Sequence, residues 1–200
     1  MYKLIGSLKT RTVRVLWMLE ELRAEYLLEQ WEPRSKEALA YNPSGKVPML
    51  QVGDDVIIDS VAICQHLADS NGRFTHKAGT IERAHQDSWT NFAIDELDGA
   101  CWFAARNTFI LPKDLRSEKA IEACKYEFGR AMGFMQERLP ETDYAAGDEL
   151  TVPDILLTHC ANWAVNMFGW EIPTGKVSDY FDRVRSRPAY KKAMELREKS

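Results

Sequence analysis

At 200 residues, the chain is long enough to bury a core as one large domain or two small ones. Its hydrophobic content of 45% and charged content of 28% are ordinary for a soluble globular protein. A net charge of −4 argues against a general nucleic-acid binder, which carries a basic face, while leaving room for a local basic pocket.

Tyr2 to Gly6 predicts a strand. Val15, Leu19 and Leu22 recur at helical spacing, as do Val13, Leu16 and Trp17, so Thr12 to Arg23 predicts a helix. Tyr26 to Trp31 reads as a second strand, and Ser35 to Tyr41 as a short helix before the turn Asn42-Pro43-Ser44-Gly45. Val47, Met49, Leu50 and Val52 form one arm of a hairpin, with Val56-Ile57-Ile58 as the other across Gly53-Asp54-Asp55. Pro48 sits at the head of that strand without an amide hydrogen for the ladder. Ser60 to Asp69 predicts the next helix, giving the order β-α-β-α-β-β-α: an α/β unit with a parallel beginning and an antiparallel end.

A polar, Gly-containing linker follows, and strand alternation then stops. Ile81 to Arg106, Ser117 to Arg138, Val152 to Phe168 and Ser178 to Glu198 each predict helix, with Pro112, Pro140 and Pro173 between them. The fold class is α/β plus all-α, with an α/β domain over residues 1–75 and an all-helical domain over 82–200. Met1 to Thr10 lacks the pattern of a secretory signal, and apolar runs such as Ala100 to Ala105 are too short to span a bilayer. Cys64, Cys101, Cys124 and Cys160 form no CxxC pair, which suits reduced, buried thiols in a cytoplasmic protein. No histidine spacing supports a metal site.

Three stretches invite a chemical reading. The loop Gly6-Ser7-Leu8-Lys9-Thr10-Arg11-Thr12 joins the first strand to the first helix, the end of an open α/β sheet where ligands bind. A helix N-terminus there favours an anion, and Ser7 follows the strand immediately, as a hydrogen-bond donor rather than a nucleophile. Thr10 and Thr12 read more simply as helix caps. Asp59-Ser60 is an ordinary cap signature whose functional alternative holds both charges of an amino-acid head group. Thr151-Val152-Pro153-Asp154 is a helix start assigned to folding, with Thr151 capping, Asp154 returning the bond, and Leu150 with Ile155 as a staple. Gly129 and Gly133 predict close helix contact, and Trp89, Phe92, Trp102 and Phe103 at helical spacing read as core, with the lining of a hydrophobic pocket as the alternative.

Taken in order, Ser7-x-x-Thr10-Arg11, Val15 to Leu22, Asn42 to Pro48, Asp59-Ser60, Thr151-x-x-Asp154 and Arg185-Ser186-Arg187-Pro188-Ala189-Tyr190 resemble the glutathione S-transferase family along nearly the whole chain. The resemblance implies a thioredoxin-like first domain that binds glutathione, and a helical second domain that forms the site for a hydrophobic electrophile. It further implies a cytoplasmic homodimer active in detoxification, with glutathione as co-substrate and neither metal, membrane nor nucleic acid as partner. Pro48 would be a cis proline, Val47 would pair with the peptide backbone of glutathione, and Asp59 and Ser60 would hold its γ-glutamyl head, with Lys46 assisting at a carboxylate. Ser7 matches the thiol-activating hydroxyl of serine-type members such as the theta class, and Thr10 is the second candidate.

The family usually has Glu-Ser where this chain has Asp59-Ser60, and the strand-to-helix loop holds neither tyrosine nor cysteine. The implied function is transfer of the glutathione thiolate to an electrophilic carbon. The alternatives are a non-catalytic glutathione- or hydrophobe-binding or interaction protein of the same fold, and a glutathione-dependent peroxidase or isomerase.

Overall fold

In the computed structural model, which describes residues 1–200, the chain opens with strand β1 (Tyr2–Ile5), helix α1 (Thr12–Leu22) and strand β2 (Tyr26–Glu29). Helix α2 (Lys36–Tyr41), the hairpin of β3 (Met49–Val52) and β4 (Asp55–Ile58), and helix α3 (Ser60–Asn71) complete the α/β part. The order is the β-α-β-α-β-β-α that the hydrophobic periods predict. The sheet runs β2-β1-β3-β4, with β1 and β2 parallel and the other neighbours antiparallel.

Side chains alternate across a strand, so the two faces of this sheet bury different partners. Ile5 and Met49 face each other in register and cluster with Ala38 of α2, with Trp31, Val47 and Val56 packed around them. Leu4 and Leu50, the next matched pair, project to the other face and are fully buried. Each such leucine contributes about 1.5–3 kcal/mol by leaving water. Helix α1 is buried on every side and packs against α3 as well as β1.

The chain divides into two units, residues 1–75 with 185–200, and residues 76–184. The last helix, α9 (Pro188–Glu198), therefore belongs with the α/β part, although periodicity alone groups it with the helical domain. Polar contacts to α1 hold it there. Arg187 grips Glu21 through two hydrogen bonds of 2.7 Å, and Lys192 pairs with Glu20 at 2.7 Å. Trp17 Nε1 adds a donor to Glu21 at 3.0 Å, and the Tyr190 ring meets Trp17 edge-on at 4.9 Å. The Arg-Ser-Arg-Pro-Ala-Tyr stretch is thus a clamp on α1. Glu21 has side-chain exposure of only 5%, and a buried carboxylate of this kind requires such a partner.

The predicted single helix over Ser178 to Glu198 is two. α8 (Lys176–Arg185) ends before Arg187, whose backbone is extended, and Pro188 starts α9 at a first-turn position where its missing amide costs nothing. The earlier helical stretch runs further than predicted: α4 (Ile81–Phe92) and α5 (Gly99–Ala105) are joined by a π-helical turn, Ala93–Asp98, and a second one, Arg106–Ile110, follows. α6 (Glu118–Arg138) and α7 (Val152–Phe168) complete the second unit. Gly129 and Gly133 on α6 face open space, with nothing within 4 Å of where a side-chain carbon would stand, so the expected close helix contact does not form within the chain.

At the start of α7 the reciprocal cap forms as predicted. Asp154 is fully buried and accepts from the Ala145 amide (2.9 Å), the Thr151 amide (2.7 Å), the Thr151 hydroxyl (3.0 Å) and the Tyr180 hydroxyl (2.7 Å). Burial holds its carboxyl above the ordinary carboxylate range, against the pull of those donors. Leu150 and Ile155 are both buried beside it.

Candidate functional site

Three segments meet at one end of the sheet because the strand register puts them there. Ile5 lies opposite Met49, and Met49 lies opposite Ile58. The next residues outward, Gly6-Ser7 after β1, Val47-Pro48 before β3 and Asp59-Ser60 after β4, are therefore neighbours at that edge. Gly6 makes the approach tight. At φ +137°, a side-chain carbon there would come within 2.5 Å of Thr12 Oγ1 and 2.8 Å of Val47 Cβ, so only glycine fits.

In the first segment the two candidate hydroxyls differ. Thr10 Oγ1 lies 2.7 Å from the Ser7 carbonyl, which accepts its proton, and it accepts in turn from the Thr12 amide at 3.2 Å. Thr12 Oγ1 is 2.9 Å away and completes the chain. Thr10 is thus committed to closing its own loop, but it does not cap α1 as expected: the cap position is Arg11, with no side-chain cap bond, and Thr12 is the first residue of the helix. Ser7 is a buried residue, at 3% exposure, but its Oγ is neither hydrogen-bonded within the protein nor sealed from the surface. A hydroxyl with both a proton and lone pairs uncommitted stands directly after β1.

The second segment is shaped by Asn42. Its side-chain amide donates to the Lys46 carbonyl at 2.9 Å, and its Oδ1 accepts from the Ser44 amide and hydroxyl at 3.1 and 2.9 Å. The turn delivers Lys46 to the surface, with no ion pair, and leads into a cis Val47–Pro48 bond. The amide and carbonyl of Val47 make no backbone hydrogen bond, so this residue presents an unpaired strand edge.

At the third segment Asp59 adopts φ +76°, ψ 125°, a left-handed conformation that costs a residue with a side chain roughly 1–3 kcal/mol. One carboxylate oxygen caps α3, accepting from the Val61 and Ala62 amides at 2.9 and 3.1 Å, and the other oxygen is unengaged. Ser60 is buried, and its hydroxyl accepts from Arg14 Nη1 at 3.3 Å. The cap reading of Asp59 therefore holds without exhausting the carboxylate. Behind this segment, burial pushes the Cys64 thiol up to about 12, only partly offset by the charge of Arg14, with Asp59 raising it further. That thiol is no nucleophile at neutral pH.

All seven predicted site residues, Ser7, Thr10, Lys46, Val47, Pro48, Asp59 and Ser60, lie on these three segments. Sequence reasoning missed Gly6, Asn42 and Arg14. The first two carried a signal in a strand-end glycine and in an Asn-Pro-Ser-Gly turn. Arg14 carried none, because an arginine within a helix reads as surface.

The chain matches the models for the N-terminal domain of glutathione S-transferases over residues 11–70 and for their C-terminal domain over residues 101–188. Probable glutathione S-transferase GSTF2 of Oryza sativa subsp. japonica is 31% identical over 169 residues, covering 80% of this chain and 78% of the relative. Elongation factor 1-gamma 1 of the same plant is 30% identical over 170 residues; the match takes in 80% of this chain but only 39% of that longer relative. The theta class glutathione S-transferase of Xanthomonas axonopodis pv. citri, solved with glutathione bound, superposes with a TM-score of 0.79 at 25% identity over 96% of both chains. With its thioredoxin-like sheet, its helical second unit and these matches to both halves, the chain belongs to the glutathione S-transferase family.

Proposed function

We propose that the protein binds glutathione across the three segments and activates its thiol through Ser7, for transfer to a hydrophobic electrophile. The observation that carries this reading is the uncommitted Ser7 hydroxyl beside the unpaired Val47 backbone. The donor set fits the tripeptide. Val47 offers an amide and a carbonyl to an extended peptide, as an added strand would require. The unengaged oxygen of Asp59 suits an ammonium, the Ser60 hydroxyl a carboxylate, and the Lys46 ammonium a second carboxylate.

Ser7 would donate its proton to the ionised sulfur. A hydrogen bond to a charged group is worth roughly 1.5–3 kcal/mol. At about 1.4 kcal/mol per unit of pKa, that lowers the thiol by roughly one to two units and raises the thiolate fraction at neutral pH accordingly. Thr10 contributes indirectly, by holding the Ser7 carbonyl and so the loop. The electrophile, held by the helical unit, the homodimer and the cytoplasmic setting expected from the sequence are parts of this same proposal.

A second reading, a binding or interaction module without transferase chemistry, is favoured by the likeness to elongation factor 1-gamma. The two separate in one assay: calorimetric binding of glutathione, with conjugation of glutathione to 1-chloro-2,4-dinitrobenzene followed in parallel. Turnover above the uncatalysed rate supports the transferase. Binding without turnover supports a glutathione-binding module, and absence of binding overturns both glutathione readings and leaves an interaction module.

A further inference from the structure

Arg14 is among the largest side chains sealed inside the protein, at 1% exposure, on a helix that packs against α3. Its Nη1 reaches Ser60 Oγ at 3.3 Å. A guanidinium has donors and no acceptor, so in this contact the serine oxygen must accept. The one proton on Ser60 is thereby turned away from Arg14, and it has no acceptor within the protein. Asp59, not Ser60, is the cap of α3 and takes the amides of Val61 and Ala62, so the Ser60 hydroxyl is not spent on the cap. Ser60 is instead held as a donor, with a positive charge directly behind it and the first turn of α3 beside it. The charge is felt locally, since Arg14 pulls the Cys64 thiol down while Asp59 pushes it up.

We propose that Arg14 is a positioning residue: it fixes Ser60 as an outward hydrogen-bond donor and makes this corner of the site selective for a carboxylate. The inference rests on the glutathione reading above, in which the carboxylate is the one beside the ammonium of the γ-glutamyl group. Arg14 does not touch the ligand; its effect passes through the serine hydroxyl and through its field.

The test compares two peptides by calorimetry on the full chain: glutathione, and γ-aminobutyryl-cysteinylglycine, which lacks only that carboxylate. Arg14→Gln weakens glutathione roughly tenfold or more, the scale of one hydrogen bond to a charged group, while affinity for the shorter peptide stays within about threefold of wild type. In the Ser60→Ala background, Arg14→Gln costs glutathione little more, because the two act as one unit. If Arg14→Gln does not fold, Arg14→Met, which removes the charge and the donors at similar length, carries the same comparison. Equal weakening toward both peptides makes Arg14 a packing residue and overturns the inference, as do additive losses with Ser60→Ala. If the wild type binds no glutathione, the glutathione reading falls and takes this one with it; if the wild type binds and Arg14→Gln fails to discriminate the two peptides, this inference alone falls.

Discussion

Helices α3 and α7 open on the same kind of sequence, an aspartate and a hydroxyl residue within four positions, and arrive at opposite ends. At α7, Asp154 is sealed and its two oxygens take four donors, so nothing is left to offer. At α3, Asp59 is exposed, sits at φ +76° and spends one oxygen on the cap, while the Ser60 proton is directed outward. A cap motif is thus a folding device where the protein itself saturates every polar atom. It becomes a candidate site where an oxygen and a proton are left over and the backbone is strained to hold them. Composition does not distinguish the two; the count of partners does.

The largest effect expected from this contrast is at the saturated end. Asp154→Ala leaves donors buried without an acceptor and is expected to destabilise the chain by about 3 kcal/mol or more, read from the guanidinium denaturation midpoint. A loss below about 1 kcal/mol would break the contrast. At the open end, Asp59→Gly relieves the left-handed backbone while giving up a cap, so stability stays within about 1 kcal/mol of wild type. Glutathione affinity in that variant falls about tenfold or more by calorimetry. Destabilisation on the scale of Asp154→Ala would reassign Asp59 to the fold.

The smallest effect sharpens where the interior of α3 begins. The folded Cys64 thiol, at about 12, holds its proton where the unfolded chain, near 9.0, releases it. Its contribution to stability is therefore complete below pH 9 and declines as pH rises toward 12, by at most about 1.4 kcal/mol per pH unit. Denaturation at pH 8, 9 and 10 measures that slope, and Cys64→Ala flattens it. An unchanged slope in the variant would show that Cys64 is not the titrating group.

Much of the first unit was legible because period and register are local. The alternation of Val47, Met49, Leu50 and Val52, the Gly53-Asp54-Asp55 turn and the helical spacing in α1 give the sheet edge on which all the candidate residues fall. What stayed hidden depends on contacts distant in sequence. The helix expected over Ser178 to Glu198 runs through Pro188, and its break shows only where Arg187 turns away to grip Glu21. Glu20 and Glu21 are charges on a helix, yet both are buried, paired with Lys192 of α9 and with Arg187 just before it. Arg14 gains its meaning only from Ser60, far along the chain. The choice between Ser7 and Thr10 was open in the sequence for the same reason: both are hydroxyls in one loop, and only the direction of the Thr10 proton separates them.

That choice is also the central claim, and ultraviolet difference titration of the glutathione thiolate bound to wild type, Ser7→Ala and Thr10→Ala tests it directly. The account predicts a thiol pKa depressed by roughly one to two units in wild type, restored toward that of free glutathione in Ser7→Ala and largely kept in Thr10→Ala. Restoration in Thr10→Ala with depression kept in Ser7→Ala would contradict it, as would a bound thiol with no depression at all.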